Sequence, residues 1–250
     1  MKKRGSTLWL AVFGVAALMS GCVKMEEEFT IKPDGSGTVS LKYSIAEQSI
    51  SQIHAMRVLT VELAAAQAPS TNKPEVVPDG FDRYLFDPVD NDLRALLRSY
   101  ASYGVTAEKV EVRTHDARRE VEIKADFKDL AQLSKTGLFK QYGFKLSRLQ
   151  NGQYQLFRAA VTNDPEALAV FSDPESLRQV TPLLSGFNVS LNVRVPGKII
   201  KSSAPERGVT PYSATWVFDF DREPKAFVDL QRQEFNVIFE AGNVRLPEIR

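Results

Sequence analysis

Between Phe29 and Ile45 the sequence FTIKPDGSGTVSLKYSI places apolar side chains at alternate positions on both sides of a Pro-Asp-Gly-Ser-Gly turn. Side chains alternate faces along a strand, so this pattern commits the segment to a β-hairpin with one buried and one wet face. The same signal recurs. Val121, Ile123, Ala125 and Phe127 alternate with charged residues, FKLSRLQNGQYQLF alternates around Asn151-Gly152, and Phe187, Val189, Leu191, Val193 and Val195 alternate up to Pro196-Gly197. An Asn-Gly pair is the strongest short-range hairpin signal, so a two-residue turn with Gly152 at positive φ is predicted there. Further strands are expected at Thr106 to Arg113, Lys198 to Ser202, Ala214 to Phe220 and Phe235 to Glu240.

Helical signals interleave with these strands. Residues 46–68 carry Ile50, Ile53, Met56, Val58, Leu59 and Leu63 among good helix formers and stop before Pro69. After a proline-containing loop, Asp90 or Asn91 can cap a second helix through Leu93, Leu96, Leu97 and Tyr100, with Gly104 ending it. A short helix is expected from Asp129 to Ser134, and two more where Asp164 and Asp173 each precede a proline. The expected fold class is therefore α+β: a largely antiparallel sheet built from hairpins, with interleaved helices and a mostly helical insertion over residues 46–103.

What precedes the first hairpin sets the location. Lys2, Lys3 and Arg4 are followed by an apolar run from Leu8 to Leu18, then Met19-Ser20-Gly21-Cys22. The run is well short of the roughly 20 residues that a spanning helix needs, so it reads as a cleavable export signal, residues 1–21, ahead of a single ectodomain over 22–250. The one cysteine of the chain ends that signal. Its position resembles a bacterial lipobox, which makes Cys22 the expected acylation site, a thiol being the side chain suited to accept the lipid. Several acyl chains at about 0.8 kcal/mol per buried CH₂ hold a protein firmly on a membrane. The expected location is the cell envelope, on the extracytoplasmic side. Val23 rather than Asp follows the cysteine, so in a Gram-negative host the destination would be the outer membrane. Only Val23 and Lys24 separate the anchor from the first strand, a tether of roughly 10 Å.

With that leader removed, three of the 32 Lys and Arg residues go with it, against 31 Asp and Glu, so the remainder is slightly acidic. A nucleic-acid partner is not expected from such a balance. Once Cys22 is acylated no thiol remains for a disulfide or a structural zinc site. His54 and His115 are the only histidines and have no metal or catalytic spacing, and no hydrolase or nucleotide motif occurs, so no enzyme activity and no cofactor are expected. The acidic sets Asp87, Asp90, Asp92 and Asp219, Asp221, Glu223 lack the glycine and downstream Glu of a calcium loop and read as helix caps and strand ends; no metal site is assigned.

The order of these segments resembles the LppM-like family of bacterial envelope lipoproteins. Cys22 running into FTIKPDGSGTVSLKY, the hairpin LSRLQNGQYQLF, and VRVPGKIIKSSAPERGVTPYSATWVF with Trp216 carry the resemblance. It departs from the family pattern over residues 46–103 and 204–211. The resemblance implies a non-enzymatic, membrane-tethered domain that handles lipids or other amphiphiles. The residues supply a candidate ligand site for that role: Trp216, Phe218 and Phe220 share one face of a late strand, near Phe187, either as plain core or as the lining of an apolar cavity. The competing readings are a scaffold that docks an envelope protein through residues 46–103 and, least supported, a hydrolase.

Overall fold

A computed structural model describes residues 24–47, 50, 89–137, 139, 143–160, 175, 186–223, 225–240, 242 and 244–249 of the 250-residue chain. The elements run β1 (Lys24–Ile31), β2 (Gly37–Ala46), α1 (Asp90–Ser99), a 3₁₀ turn (Ala101–Tyr103), β3 (Val105–His115), β4 (Arg118–Phe127), α2 (Leu130–Leu133), β5 (Lys145–Arg148) and β6 (Tyr154–Arg158). They continue with β7 (Asn188–Arg194), β8 (Ile199–Ser202), a 3₁₀ turn (Glu206–Gly208), β9 (Ser213–Asp219), α3 (Ala226–Arg232) and β10 (Phe235–Phe239).

The expected α+β class is corrected by this arrangement. Among the described residues the architecture is β-rich: ten strands in two sheets, ordered β3-β4-β2-β1-β7-β9 and β5-β6-β10-β8, with few and short helices. The physical reason lies in what covers the sheet. Among the described residues the inward face of the six-stranded sheet packs largely against the second sheet, with short helices at its margin: Trp216 of β9 meets Phe235 of β10 edge-on with ring centroids 5.1 Å apart, and Phe29 of β1 stacks on Phe144, beside β5, at 5.9 Å. Both sheets contribute to one core, in which Leu146, Tyr154, Leu156, Val237 and Phe239 face Leu41, Ile31, Val193 and Trp216. The predicted helix over residues 46–68 and the two proline-started helices after Asp164 and Asp173 lie almost wholly outside the described residues. Ala46 itself belongs to β2.

The hairpins follow the alternation. β1 pairs antiparallel with β2 from Lys24↔Ser44 to Ile31↔Gly37, and β2 with β4 from Gly37↔Phe127 to Ala46↔Arg118. β3 and β4 are longer than the alternating stretches suggested, and they meet through Asp116 and Ala117, both at positive φ. The turn at Asn151-Gly152 is three residues long, not two. Gly152 N–H donates to Leu149 O at 2.9 Å and Leu149 N–H to Gln153 O at 2.8 Å, with Gly152 at φ 83°. A three-residue loop closed by a left-handed glycine is the next most common hairpin connection, and the loop Pro33–Gly35 repeats it.

Two features are not local. β1 also pairs with β7, in parallel, from Lys24↔Asn188 to Thr30↔Arg194, so the first strand sits inside the sheet with partners on both sides. The C-terminal segment is clamped to the smaller sheet by buried Tyr154, whose hydroxyl donates to Leu246 O and accepts from Leu246 N–H at 2.9 Å. Helix α1 is placed as predicted, but its cap is Val89, not Asp90 or Asn91. Asp90 enters the first turn, where Arg94 Nε donates to it at 2.6 Å; the Arg94 guanidinium also donates to Val110 O and so ties the helix to β3. Gly104, at φ 73°, ends the following 3₁₀ turn. The short helix expected from Asp129 to Ser134 is α2, which Asp129 caps by accepting from Ala131 N–H at 2.6 Å.

Candidate functional site

The alternation that makes β9 a strand also sorts its side chains: Ala214, Trp216 and Phe218 point into the core and Val217 points out. Trp216 is 1% exposed and Phe218 7%, and both rings lie edge-on to Phe235, at 5.1 and 6.2 Å. Phe220, just past the strand, is buried and meets half-buried Phe187 edge-on at 4.8 Å. The four aromatic residues singled out in the sequence therefore form two neighbouring contacts: Trp216 and Phe218 joined through Phe235, and Phe220 with Phe187. Within this packing the indole N–H of Trp216 is buried with no hydrogen-bond acceptor among the described residues. An unpaired buried donor costs about 1–3 kcal/mol, so it is an exception in an otherwise apolar cluster.

Phe218 also borders open space. A cleft of about 440 Å³ lies between the outer edge of β9, the loop at Pro205 and Arg207, and helix α3, which contributes Ala226, Asp229 and Arg232. β9 is the last strand of its sheet, and among the described residues this edge pairs only through the short bridge Val209↔Ala214. Apolar groups, Phe218, Val217 and Ala226, line the cleft beside the charged groups Arg207, Arg222, Arg232, Asp219, Glu223 and Asp229. Asp219 is committed locally: its carboxylate accepts from Asp221 and Arg222 N–H and pairs with Arg222 at 3.3 Å. Asp221 accepts from Gly186 N–H at 2.6 Å. These bonds account for two of the three members of the late acidic set as turn-formers. Of the earlier set, Asp90 serves Arg94 and Asp87 lies outside the described residues. Among the described residues no group of three or more His, Cys, Asp or Glu could hold a metal.

The cleft was missed from the sequence because α3 was missed. Pro224 followed by the helix formers of KAFVDLQRQ carried a start signal of the same kind as Asp164-Pro165. The remaining sequence candidates are dispersed. His115 lies on the exposed β3–β4 turn, 3.0 Å from Asp116, and Cys22 and His54 fall outside the described residues.

A second polar group sits where the alternation expects an apolar one. Glu27 shares the inward face of β1 with Phe29 and Ile31, between Leu41 and Leu191 in register. Burial pushes its carboxyl up to about 7, against the opposing pull of the Arg158 guanidinium. Arg158 lies over the rings of Phe235, 5.1 Å from its centroid, and Phe144, at 6.0 Å. The void beside Glu27, lined by Phe29, Phe139, Phe144 and Leu191, is about 10 Å³, the size of a single water rather than of a ligand.

No protein-family model matches this chain, and no curated protein matches it. Among solved structures, the folded domain of LppM from Mycobacterium tuberculosis, determined by NMR, is similar over 88% of this chain and 91% of that one, at 14% identity and a TM-score of 0.36. That domain belongs to the family which the sequence resembles, but a likeness of this size does not establish a shared fold, site or function.

Proposed function

We propose that this protein is a non-catalytic lipoprotein of the bacterial envelope, held to a membrane through acylated Cys22, and that the cleft between β9 and α3 receives an amphiphile. The observation that carries the reading is the cleft itself: apolar Phe218, Val217 and Ala226 beside three arginines and three carboxylates give an acyl segment and a polar head their separate surroundings. Register supports its placement. Lys24, two residues after Cys22, lies level with Asn188 and, through it, with Asp219 at the cleft end of β9, so the tether and the cleft share one end of the sheet. The unpaired Trp216 N–H lies two ring contacts from the cleft wall, through Phe235 to Phe218.

Cells expressing the full chain and fed a palmitate that carries both an alkyne and a photoreactive group test both parts together. The alkyne should report the anchor at Cys22 and be lost in Cys22→Ala. Photolysis of the wild type should cross-link lipid to peptides spanning residues 205–233, and Arg232→Gln should cut that yield several-fold. Cross-links spread evenly over the chain would overturn the cleft; label retained on Cys22→Ala would overturn the anchor.

A further inference from the structure

The outer face of the six-stranded sheet carries a second groove, of about 270 Å³, at the end where β1 begins. Register builds it from two cross-strand rows. The first runs Lys24, Ser44, Glu120, Arg113 across β1, β2, β4 and β3; the second runs Glu26, Lys42, Glu122, Glu111. Neighbours in such rows stand within side-chain reach of one another, so each row reads as a line of charges. In the second row the charges mostly satisfy each other. Glu122 pairs with Lys42 at 3.4 Å and with Lys109 at 2.5 Å, and that contact with Lys109 holds its carboxyl below the usual range. Glu111 pairs with Lys109 at 3.2 Å and also takes Arg113.

Lys24, Glu26 and Glu120 differ: among the described residues none of the three has an ion pair or side-chain hydrogen bond. Lys24 and Glu120 stand on the same face, two strand spacings or about 10 Å apart at the backbone, with Ser44 between them, its hydroxyl accepting from Arg118 Nε at 2.8 Å. A free cation and free carboxylates across a short gap suit a ligand that carries both signs. With Arg118 at Ser44 counted beside the lining residues, cations and carboxylates balance, which suits a headgroup carrying both signs over one that is only anionic.

We infer that this groove takes the headgroup of a membrane phospholipid bearing both a phosphate and a primary ammonium, with Lys24 on the phosphate and Glu26 and Glu120 on the ammonium. The inference rests on the anchor reading, since acylated Cys22 puts Lys24 at headgroup depth. The primary ammonium is specified by chemistry: it offers three N–H donors to two carboxylates, whereas a trimethylated head offers none.

The test uses the acylated full-length protein in nanodiscs holding equal amounts of phosphatidylethanolamine, phosphatidylcholine and phosphatidylglycerol, with retained lipids counted by native mass spectrometry. Phosphatidylethanolamine should be retained at least threefold over each of the others. Lys24→Gln and Glu120→Gln, both on exposed positions, should each abolish that preference, while Asp126→Asn, an exposed acid at the far end of β4, should leave it intact. Equal retention of the three lipids, a preference for phosphatidylglycerol, or a preference indifferent to Lys24 and Glu120 would overturn the groove. Arg232→Gln separates the two sites: a working cleft makes this variant retain fewer lipids in total with the phosphatidylethanolamine preference kept, and a failed cleft leaves the total unchanged, so the preference reports on the groove alone.

Discussion

Glu27 is the residue at which the strand pattern and the chemistry part company, since the alternation of β1 puts a carboxyl where Phe29 and Ile31 put hydrocarbon. Its folded value of about 7 lies above the ordinary 4.5, so the folded chain binds this proton more tightly than the unfolded chain does. The group therefore costs nothing below about pH 4.5, and stability falls as pH rises through 7 and the buried carboxyl must ionise. Allowing for its partial exposure and for Arg158, the loss is about 1–2 kcal/mol. Glu27→Gln should remove that slope: the stability difference between variant and wild type, followed by urea denaturation at pH 5 and pH 8, should move in favour of the variant at the higher pH. A difference that stays constant would mean that Glu27 is solvated. The exchange of a hydrophobe for Glu at this position was visible in MEEEFTI, but its inward direction was not, because three consecutive glutamates mask the alternation.

At the scale of elements, the hairpins around Pro33–Gly35 and Gln150–Gly152 were legible because each joins period-two apolar spacing to a turn, and both signals are local. The loops show how far local chemistry reaches. Pro33–Gly35 and Gln150–Gly152 close with a glycine in the left-handed region, whereas the β3–β4 turn puts Asp116 at φ 49° and Ala117 at φ 55°. A two-residue turn of this hand needs positive φ at both positions, which a Cβ disfavours by about 1 kcal/mol or more. Ala117→Gly should therefore raise stability by about 0.5–1 kcal/mol after the added freedom of the unfolded chain is offset, seen as a melting temperature a few degrees higher. A lower melting temperature would contradict the turn geometry. The parallel pairing of β1 with β7 was not legible, since it joins segments far apart in sequence and leaves no turn between them. The packing of one sheet on the other was hidden for the same reason. With it went the fold class, because a face covered by a second sheet and a face covered by helices have the same alternation. The candidate site was legible in part: the aromatic run of β9 is evident in the sequence, but the cleft depends on which strand is left at the sheet's edge and on α3 coming to lie beside it.

For the whole molecule, the position of β1 would turn the proposed tether at Cys22 into an orientation. A strand inside the sheet, tied to β2 on one side and β7 on the other, cannot peel away as an edge strand could, so its start fixes which end of the sheet faces the anchor. The start of β1, the β3–β4 turn and the end of β9 share that end; the loop after Ile31 lies at the other, about 23 Å away along the strand. The chain's single cysteine makes this proposed orientation directly measurable, because Cys22, once acylated as proposed, would leave no other thiol to react with a label. Two variants of the acylated protein, His115→Cys at the anchor end and Lys32→Cys at the far end, carry one donor dye each in vesicles with an acceptor at the headgroups. Strong energy transfer from position 115 and much weaker transfer from position 32 is the result the account predicts; equal transfer from both, or stronger transfer from position 32, would contradict it.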